Sequence, residues 1–327
     1  VDDQERLMFQ VAALTGATGF IGGAIARRMT AAGWHVRALV RPKSSMCDQG
    51  GPNIEWITGT LEETNALHRL VRDASVIVHC AGTVRGASKS YFDLVNIDGV
   101  ARLVQAAEDE HHVPRFLLMS SLAAREPGLS PYAASKHGGE AVLHERANKL
   151  SWVTLRPPAV YGPGDREMAA LFQWMGRGCA PMFVPEGARF SLLYIEDLVD
   201  AVLRLLGTKS LKNRIFEIHD GQPNGYSWDD IVDTVSRLTY RHIRRVSVPA
   251  FFIDVLATLN LLAARATGYK PILTPWKVRE FRHPDWVGDN TALSHETGWT
   301  PTIGLAEGLK RTFGWGADFA KPVGKKR

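Results

Sequence analysis

The sequence predicts an α/β fold: a doubly wound parallel sheet followed by a smaller α/β region. Three observations predict it. Short, almost wholly apolar runs alternate with segments of helical periodicity through the first half of the chain. A glycine-rich turn, TGATGFIGG (15–23), joins the first apolar run to the first helix. The composition, 45% hydrophobic and 22% charged over 327 residues, is that of a large globular chain with one big or two coupled domains.

The elements follow in order. VAALTG (11–16) is a strand stopped by glycine. FIGGAIARRMTAAG is a helix with Ile21, Ala24, Ile25 and Met29 on one face, ended at Gly33. HVRALV (35–40) and IEWITG (54–59) are strands, and LEETNALHRLVRD is a helix. SVIVHCAG (75–82) is the next strand, followed by a long helical region over about 90–112. RFLLMSS (115–121) is a strand, 131–150 a helix and SWVTLRP (151–157) a strand. Strands this continuously apolar belong to a parallel sheet covered on both faces. After about 160, turn signals such as PGD, PEG and DGQPNG punctuate shorter elements. FSLLYI (190–195) and RIFEIH (214–219) read as strands around the helix EDLVDAVLRLLG. The chain therefore divides into a dinucleotide-binding unit, 1–160, and a second region, 161–327, with some elements expected to return to the first sheet.

Charge and cysteine content narrow the partners. The net charge is +5, and the tail KPVGKKR supplies four of the positive charges. No basic stripe with a nucleic-acid reading motif accompanies it, so no nucleic-acid partner is expected. Cys47, Cys80 and Cys179 fit neither a metal site nor a disulfide framework, which predicts a reducing, cytoplasmic compartment. The start VDDQERLMFQ is acidic and polar and does not read as a signal peptide. The apolar stretch 249–266 is broken by Asp254, Asn260 and Arg265, and is read as a buried or half-buried helix rather than a membrane span. A membrane-surface helix or the wall of a greasy pocket are its alternatives.

The glycine turn carries the first chemistry. Gly16 permits a tight turn, Gly19 lets a diphosphate approach the backbone, and Gly22 allows close packing of the helix. The helix N-terminus offers unpaired N–H groups to the anion. The second strand ends in Val40 and Arg41, with Lys43 behind, where an acidic residue would hold the ribose of NAD. A cation there suits a 2′-phosphate, so NADP is expected over NAD.

The second chemistry lies in SPYAASKHGGE (130–140). Tyr132 and Lys136 share a helix face at i and i+4. An ammonium beside a phenol favours the phenolate, and a tuned tyrosine exchanges a proton with a substrate oxygen. Ser120 and Ser121 end the preceding strand, and a serine there can hydrogen-bond the same oxygen. The set fits hydride transfer at a carbonyl or alcohol carbon. Gly138 and Gly139 are read as allowing this helix a close approach to its neighbours.

TGATGFIGG, the strand-end SS, YAASK and RPPAVYGPGD together resemble the extended short-chain dehydrogenase/reductases, the NAD(P)-dependent epimerase/dehydratase family. HCAG (79–82), VNIDGVARLVQAA (95–107), YIEDLVDAV (194–202) and DNTALSHETGWTP extend the resemblance over nearly the whole chain. It implies a Rossmann-type sheet and a C-terminal substrate region. It implies that Gly16, Thr18, Gly19, Phe20 and Ile21 line the diphosphate and that Arg41 faces the adenosine ribose. Cys80, Ala81 and Gly82 would run along the cofactor, with Ser120, Pro157 and Val160 near the nicotinamide. Ser121 would polarise the substrate oxygen, Tyr132 would be the acid/base, and Lys136 would also bind the nicotinamide ribose. Asn96 would hold the catalytic helix or a water. Helix-paired homodimers are a further analogy.

Departures from the family pattern bear on the substrate. Leu122 and Ala123 stand where sugar-nucleotide dehydratases carry acids, and only AAREPGLSP with Leu122 separates Ser121 from Tyr132. Arg189 is shifted by one residue from the arginine that would hold a nucleotide diphosphate, and Thr60 replaces the acid of the adenine contact. VRALVRP resembles reductases of the dihydroflavonol and hydroxysteroid type, which together with 249–266 suits a hydrophobic small-molecule substrate. Sugar epimerisation and a non-catalytic cofactor-binding scaffold are the competing readings.

Overall fold

The computed structural model describes residues 10–42, 44, 53–208 and 210–316. The acidic start before residue 10, Lys43, Cys47 and the basic tail lie outside the described residues.

The chain begins β1 (Val11–Thr15), α1 (Phe20–Ala31), β2 (His35–Val40), β3 (Ile54–Thr58), α2 (Thr64–Val71) and β4 (Val76–His79). It continues with α3 (Lys89–Asp93), a π-helical turn (Leu94–Asp98), α4 (Gly99–Glu108), β5 (Arg115–Met119) and a 3-10 turn (Leu122–Arg125). Then come α5 (Pro131–Arg146), β6 (Trp152–Arg156), β7 (Ala159–Tyr161), α6 (Met168–Gly176), β8 (Cys179–Met182), β9 (Arg189–Phe190) and β10 (Leu192–Tyr194). The remainder is α7 (Ile195–Gly207), β11 (Arg214–Glu217), α8 (Trp228–Thr239), β12 (Arg244–Ser247), α9 (Ala250–Thr267), α10 (Pro275–Phe281), β13 (Asp285–Trp286), α11 (Thr291–Thr297) and α12 (Leu305–Phe313).

Seven strands form one sheet in the order β11-β6-β5-β4-β1-β2-β3, every neighbour parallel. The winding reverses between β1 and β4, so a crevice opens beyond the carboxyl ends of these two strands. Both faces are covered. On β1, Ala12 and Leu14 enter one core and Ala13 the other. On β5, Leu117 and Met119 face the first core while Phe116 and Leu118 face the second. This two-sided burial is the physical reason for the unbroken apolar runs.

The long helical region expected over about 90–112 carries a change of pitch at Leu94–Asp98. FSLLYI, expected as one strand, is two. Arg189–Phe190 pairs with β13, whereas Leu192–Tyr194 pairs with β7, and Ile195 already begins α7. The two halves serve different ribbons, and Ser191 turns the chain between them. RIFE returns to the main sheet as β11, beside β6.

The apolar stretch 249–266 departs most from expectation. It forms α9, but only Ala257, Leu261 and Ala264 are buried, a stripe one residue wide. Asp254 pairs with Arg282, which caps the end of α10, at 3.0 Å, and Asn260 Nδ2 donates to Leu273 O at 2.7 Å. These bonds fasten one side of α9 to the protein and leave the other uncovered. By length and composition alone α9 suffices to cross a membrane.

Candidate active site

At the crevice between β1 and β4, the glycine turn is built by exclusion of side chains. Gly16 has φ +76°, and a Cβ there would lie 2.7 Å from Ala81 N. A Cβ on Gly22 would lie 2.2 Å from Gly16 O. Gly22 thus holds α1 against its own turn, a tighter contact than the helix-to-sheet packing expected of it. Gly19 N donates to Gly16 O at 2.9 Å, and Gly19 caps α1 with no side-chain hydrogen bond to the first turn. Thr18 and Gly19 are exposed beside that turn, and Phe20 and Ile21 start the helix half-buried. Thr15 fixes the other wall: its hydroxyl bonds His79 Nδ1 at 2.8 Å and accepts Ala81 N at 3.1 Å. Cys80, Ala81 and Gly82 therefore run alongside the turn, with Gly82 exposed. This cradle fits a dinucleotide diphosphate, because small residues bring bare backbone to the surface where a helix begins. Arg41 is exposed directly beyond β2.

Helix α5, which carries Tyr132 and Lys136, is set by its N-terminus. Ser130 accepts Ala133 N at 2.9 Å, and Pro131 occupies the first turn. The Ser130 hydroxyl also donates to Glu280 of α10. Asn96, buried in the π-helical turn, donates to Ser135 Oγ at 2.8 Å and to Thr83 O at 3.1 Å, and accepts Thr83 N at 3.0 Å. Asn96 thus joins the π-helical turn to α5. A Cβ on Gly139 would lie 2.4 Å from Asn96 O and one on Gly138 2.6 Å from Ile97 Cδ1, so these glycines do permit close approach.

Burial raises the Tyr132 phenol above its ordinary value, while a hydrogen bond with Ser121 and the charge of Lys277 pull it down. Lys277 comes from α10, with Nζ 6.0 Å from the Tyr132 ring centroid. Its ammonium donates to Glu280 Oε2 at 2.8 Å; burial works against its charge, and Glu280 outweighs it. Lys136, expected to be the cation tuning Tyr132, donates instead to Met119 O at 2.9 Å and lies beside Gly82. Burial pushes Lys136 down to about 8, against the pull of Cys80 and Glu140.

The two serines at the end of β5 separate, as strand alternation requires. Ser121 caps the 3-10 turn, accepting Ala123 N at 3.2 Å, and reaches Tyr132. Ser120, expected near the nicotinamide, is buried and donates to Glu140. Glu140 also accepts Arg156 Nε at 2.9 Å and Nη2 at 2.5 Å. Neither Glu140 nor Lys277 was singled out from the sequence. Glu140 lies four residues after Lys136 on the same face, a visible signal; Lys277 has no local signal at all. Pro157 is buried and its carbonyl accepts Leu122 N at 3.0 Å, and Val160 lies half-buried in β7. Arg189 is committed elsewhere, to Gly225 O at 3.2 Å and Asp230 at 3.4 Å.

The model of the NAD dependent epimerase/dehydratase family matches residues 12–218. The ceramide reductase of Caulobacter vibrioides (strain NA1000 / CB15N) is 33% identical over 305 residues, 93% of this chain and 94% of its own length. The decarboxylating sterol-4-alpha-carboxylate 3-dehydrogenase of Saccharomyces cerevisiae is 22% identical, over 86% of this chain and 88% of its own. Among solved structures, the UDP-glucuronic acid 4-epimerase of Bacillus cereus, in complex with UDP-glucuronic acid and NAD, superposes with TM-score 0.70 at 19% identity. That alignment covers 92% of this chain and 97% of the epimerase, and it shows a shared fold.

Proposed function

This chain belongs to the NAD dependent epimerase/dehydratase family, and from that membership we propose that it is an NADP-dependent reductase acting on the carbonyl of a hydrophobic, ceramide-like lipid. The bound nicotinamide supplies the hydride, and the chain's residues supply the rest. Ser121 donates a hydrogen bond to the carbonyl oxygen as negative charge develops there. Tyr132 gives the proton that completes the alcohol. Lys277 and Ser121 hold the phenol nearer to ionisation than burial alone would leave it. Lys136, beside Gly82 and Met119 O, is placed to bind the ribose of the cofactor. Arg41 beyond β2 supports NADP, by pairing with its 2′-phosphate.

The observation that carries the substrate class is the wall α10 presents to Tyr132. Lys277 Nζ lies 6.0 Å from the Tyr132 ring and 5.4 Å from the Phe281 ring. Phe281 in turn packs at a tilt against Phe183 with centroids 5.3 Å apart, and Phe183 against Trp228 at 5.1 Å. The row leads from the Lys277 side of Tyr132 into the hydrophobic core at Trp228, and so apolar a wall suits acyl chains better than a sugar diphosphate. The resemblance to a ceramide reductase supports the same class. Cys80 and Cys179 are free thiols, which supports a reducing compartment, the cytoplasm.

The test is NADPH oxidation by the purified protein with long-chain ketone lipids, simple ketones and UDP-glucose. Stoichiometric oxidation with the lipid ketone is expected. Interconversion of the UDP-sugar without added cofactor, with no ketone reduced, overturns the reading in favour of epimerisation. Fluorescence titration is expected to show NADPH binding at least tenfold tighter than NADH, and Arg41→Ala to remove most of that difference. Equal affinities in the unaltered protein remove Arg41 from cofactor choice.

A further inference from the structure

Thirteen large apolar side chains are exposed among the described residues, and eight of them lie between Phe251 and Ile272. Phe251 is 69% exposed, Phe252 64%, Leu256 58%, Leu259 58% and Leu262 54%. With Val255 they recur at helical spacing along α9, opposite the buried stripe of Ala257, Leu261 and Ala264. Tyr269 and Ile272 continue the patch past the helix end. Scattered exposed apolar residues need no account, but a continuous face of this length does.

The charges of the surrounding segment are mostly positive. Residues 241–282 hold eight Lys and Arg against two acids, Asp254 and Glu280. Both acids are already paired, with Arg282 and Lys277. Arg241 and Arg244 stand exposed just before α9, Arg265 in its last turn and Lys270 just after it. These four have no carboxylate partner within ion-pair reach among the described residues.

We infer that α9 and the 269–272 segment dock flat on a lipid bilayer carrying anionic headgroups. An apolar helix face set among cations matches the acyl boundary below and the phosphates around it. A second copy of this chain matches poorly, because a two-fold contact would set the same cations against themselves. Crossing the bilayer is opposed by the bonds of Asp254 and Asn260 to the protein body.

The docked face adjoins the site. Arg265 Nε donates to Ala87 O at 3.4 Å, and Lys270 Nζ lies 4.3 Å above the Tyr91 ring. Tyr91 packs on Phe92, and Phe92 on Tyr132 with centroids 6.2 Å apart. A lipid leaving the bilayer beside α9 is thus two aromatic rings from the catalytic phenol. This delivery role rests on the lipid-carbonyl reading above; the docking itself does not.

Vesicle flotation of the full chain separates the two. Vesicles of phosphatidylcholine with phosphatidylglycerol are expected to carry the protein to the top, and phosphatidylcholine alone to carry at least tenfold less. Phe251→Asp with Leu256→Asp is expected to reduce flotation at least tenfold while NADPH titration is unchanged. Trp174→Asp, at an exposed position on α6, is expected to float normally. An unaltered protein that stays at the bottom with both vesicle types overturns the inference. So does a doubly substituted protein that floats like the original, or a dimer split by those substitutions with no flotation. Flotation uses no carbonyl substrate, so failure of the reductase reading leaves this result standing, and the reverse also holds.

Discussion

Tyr132 sits where three elements act on one phenol: α5 carries it, the end of β5 presents Ser121, and α10 brings Lys277. Tyr132→Phe keeps the ring and removes the proton. Turnover in a NADPH-oxidation assay is expected to fall about 10²–10⁴-fold, with cofactor affinity unchanged. A variant retaining a tenth of the activity would remove Tyr132 from proton transfer. Lys136 makes a different prediction. Unfolded, its ammonium holds the proton to about 10.5, and folded it loses it near 8. Between those values the unfolded chain binds the extra proton, so raising the pH favours the fold. Urea unfolding of the original protein is therefore expected to gain stability from pH 8 upward relative to Lys136→Met. A difference independent of pH contradicts the assignment. Ser121, Tyr132 and Lys136 were legible because they lie within one strand end and one helical turn. Lys277 was not, because only the packing of α10 on α5 brings it there.

The same contrast holds for elements. The strand–turn–helix from β1 to α1 was readable because Gly16 turns with a positive φ and Gly22 meets Gly16 O within the same turn. Gly22→Ala places a methyl 2.2 Å from Gly16 O. It is expected to destabilise by about 1–3 kcal/mol in thermal unfolding and to weaken dinucleotide binding at least tenfold. Unchanged binding would mean that the turn does not hold the diphosphate. The helix and strand order of the main sheet followed from apolar runs buried on both sides. FSLLYI did not divide in the sequence, since its two short halves are separated by pairing with distant partners, β13 and β7. The exposure of α9 was hidden for another reason. Apolar residues surround nearly the whole helix, so periodicity names no inner face; the buried stripe of Ala257, Leu261 and Ala264 and the bonds of Asp254 and Asn260 show which side is held.

Over the whole molecule, one buried carboxylate ties the far end of the chain to the sheet layers. Asp197 of α7 accepts Thr302 N at 3.0 Å, Thr302 Oγ1 at 2.8 Å and Ile303 N at 2.8 Å. Asp197→Ala leaves two backbone donors unpaired, and a loss of about 2–4 kcal/mol is expected in denaturant unfolding. A loss below about 0.5 kcal/mol would show that the C-terminal segment docks without it. The sheet itself is completed late. Its seventh strand, Arg214–Glu217, pairs with Trp152–Arg156, and roughly 60 residues of chain separate the two. A ribosome adding about 5–20 residues per second needs some 3–12 s to make that interval. During it, the outer edge of β6 stands unpaired on the nascent chain, open to any extended segment that meets it. Translation speed over residues 157–213 therefore sets how long this protein is open to misassembly, and slowing codons placed there would lower its soluble yield.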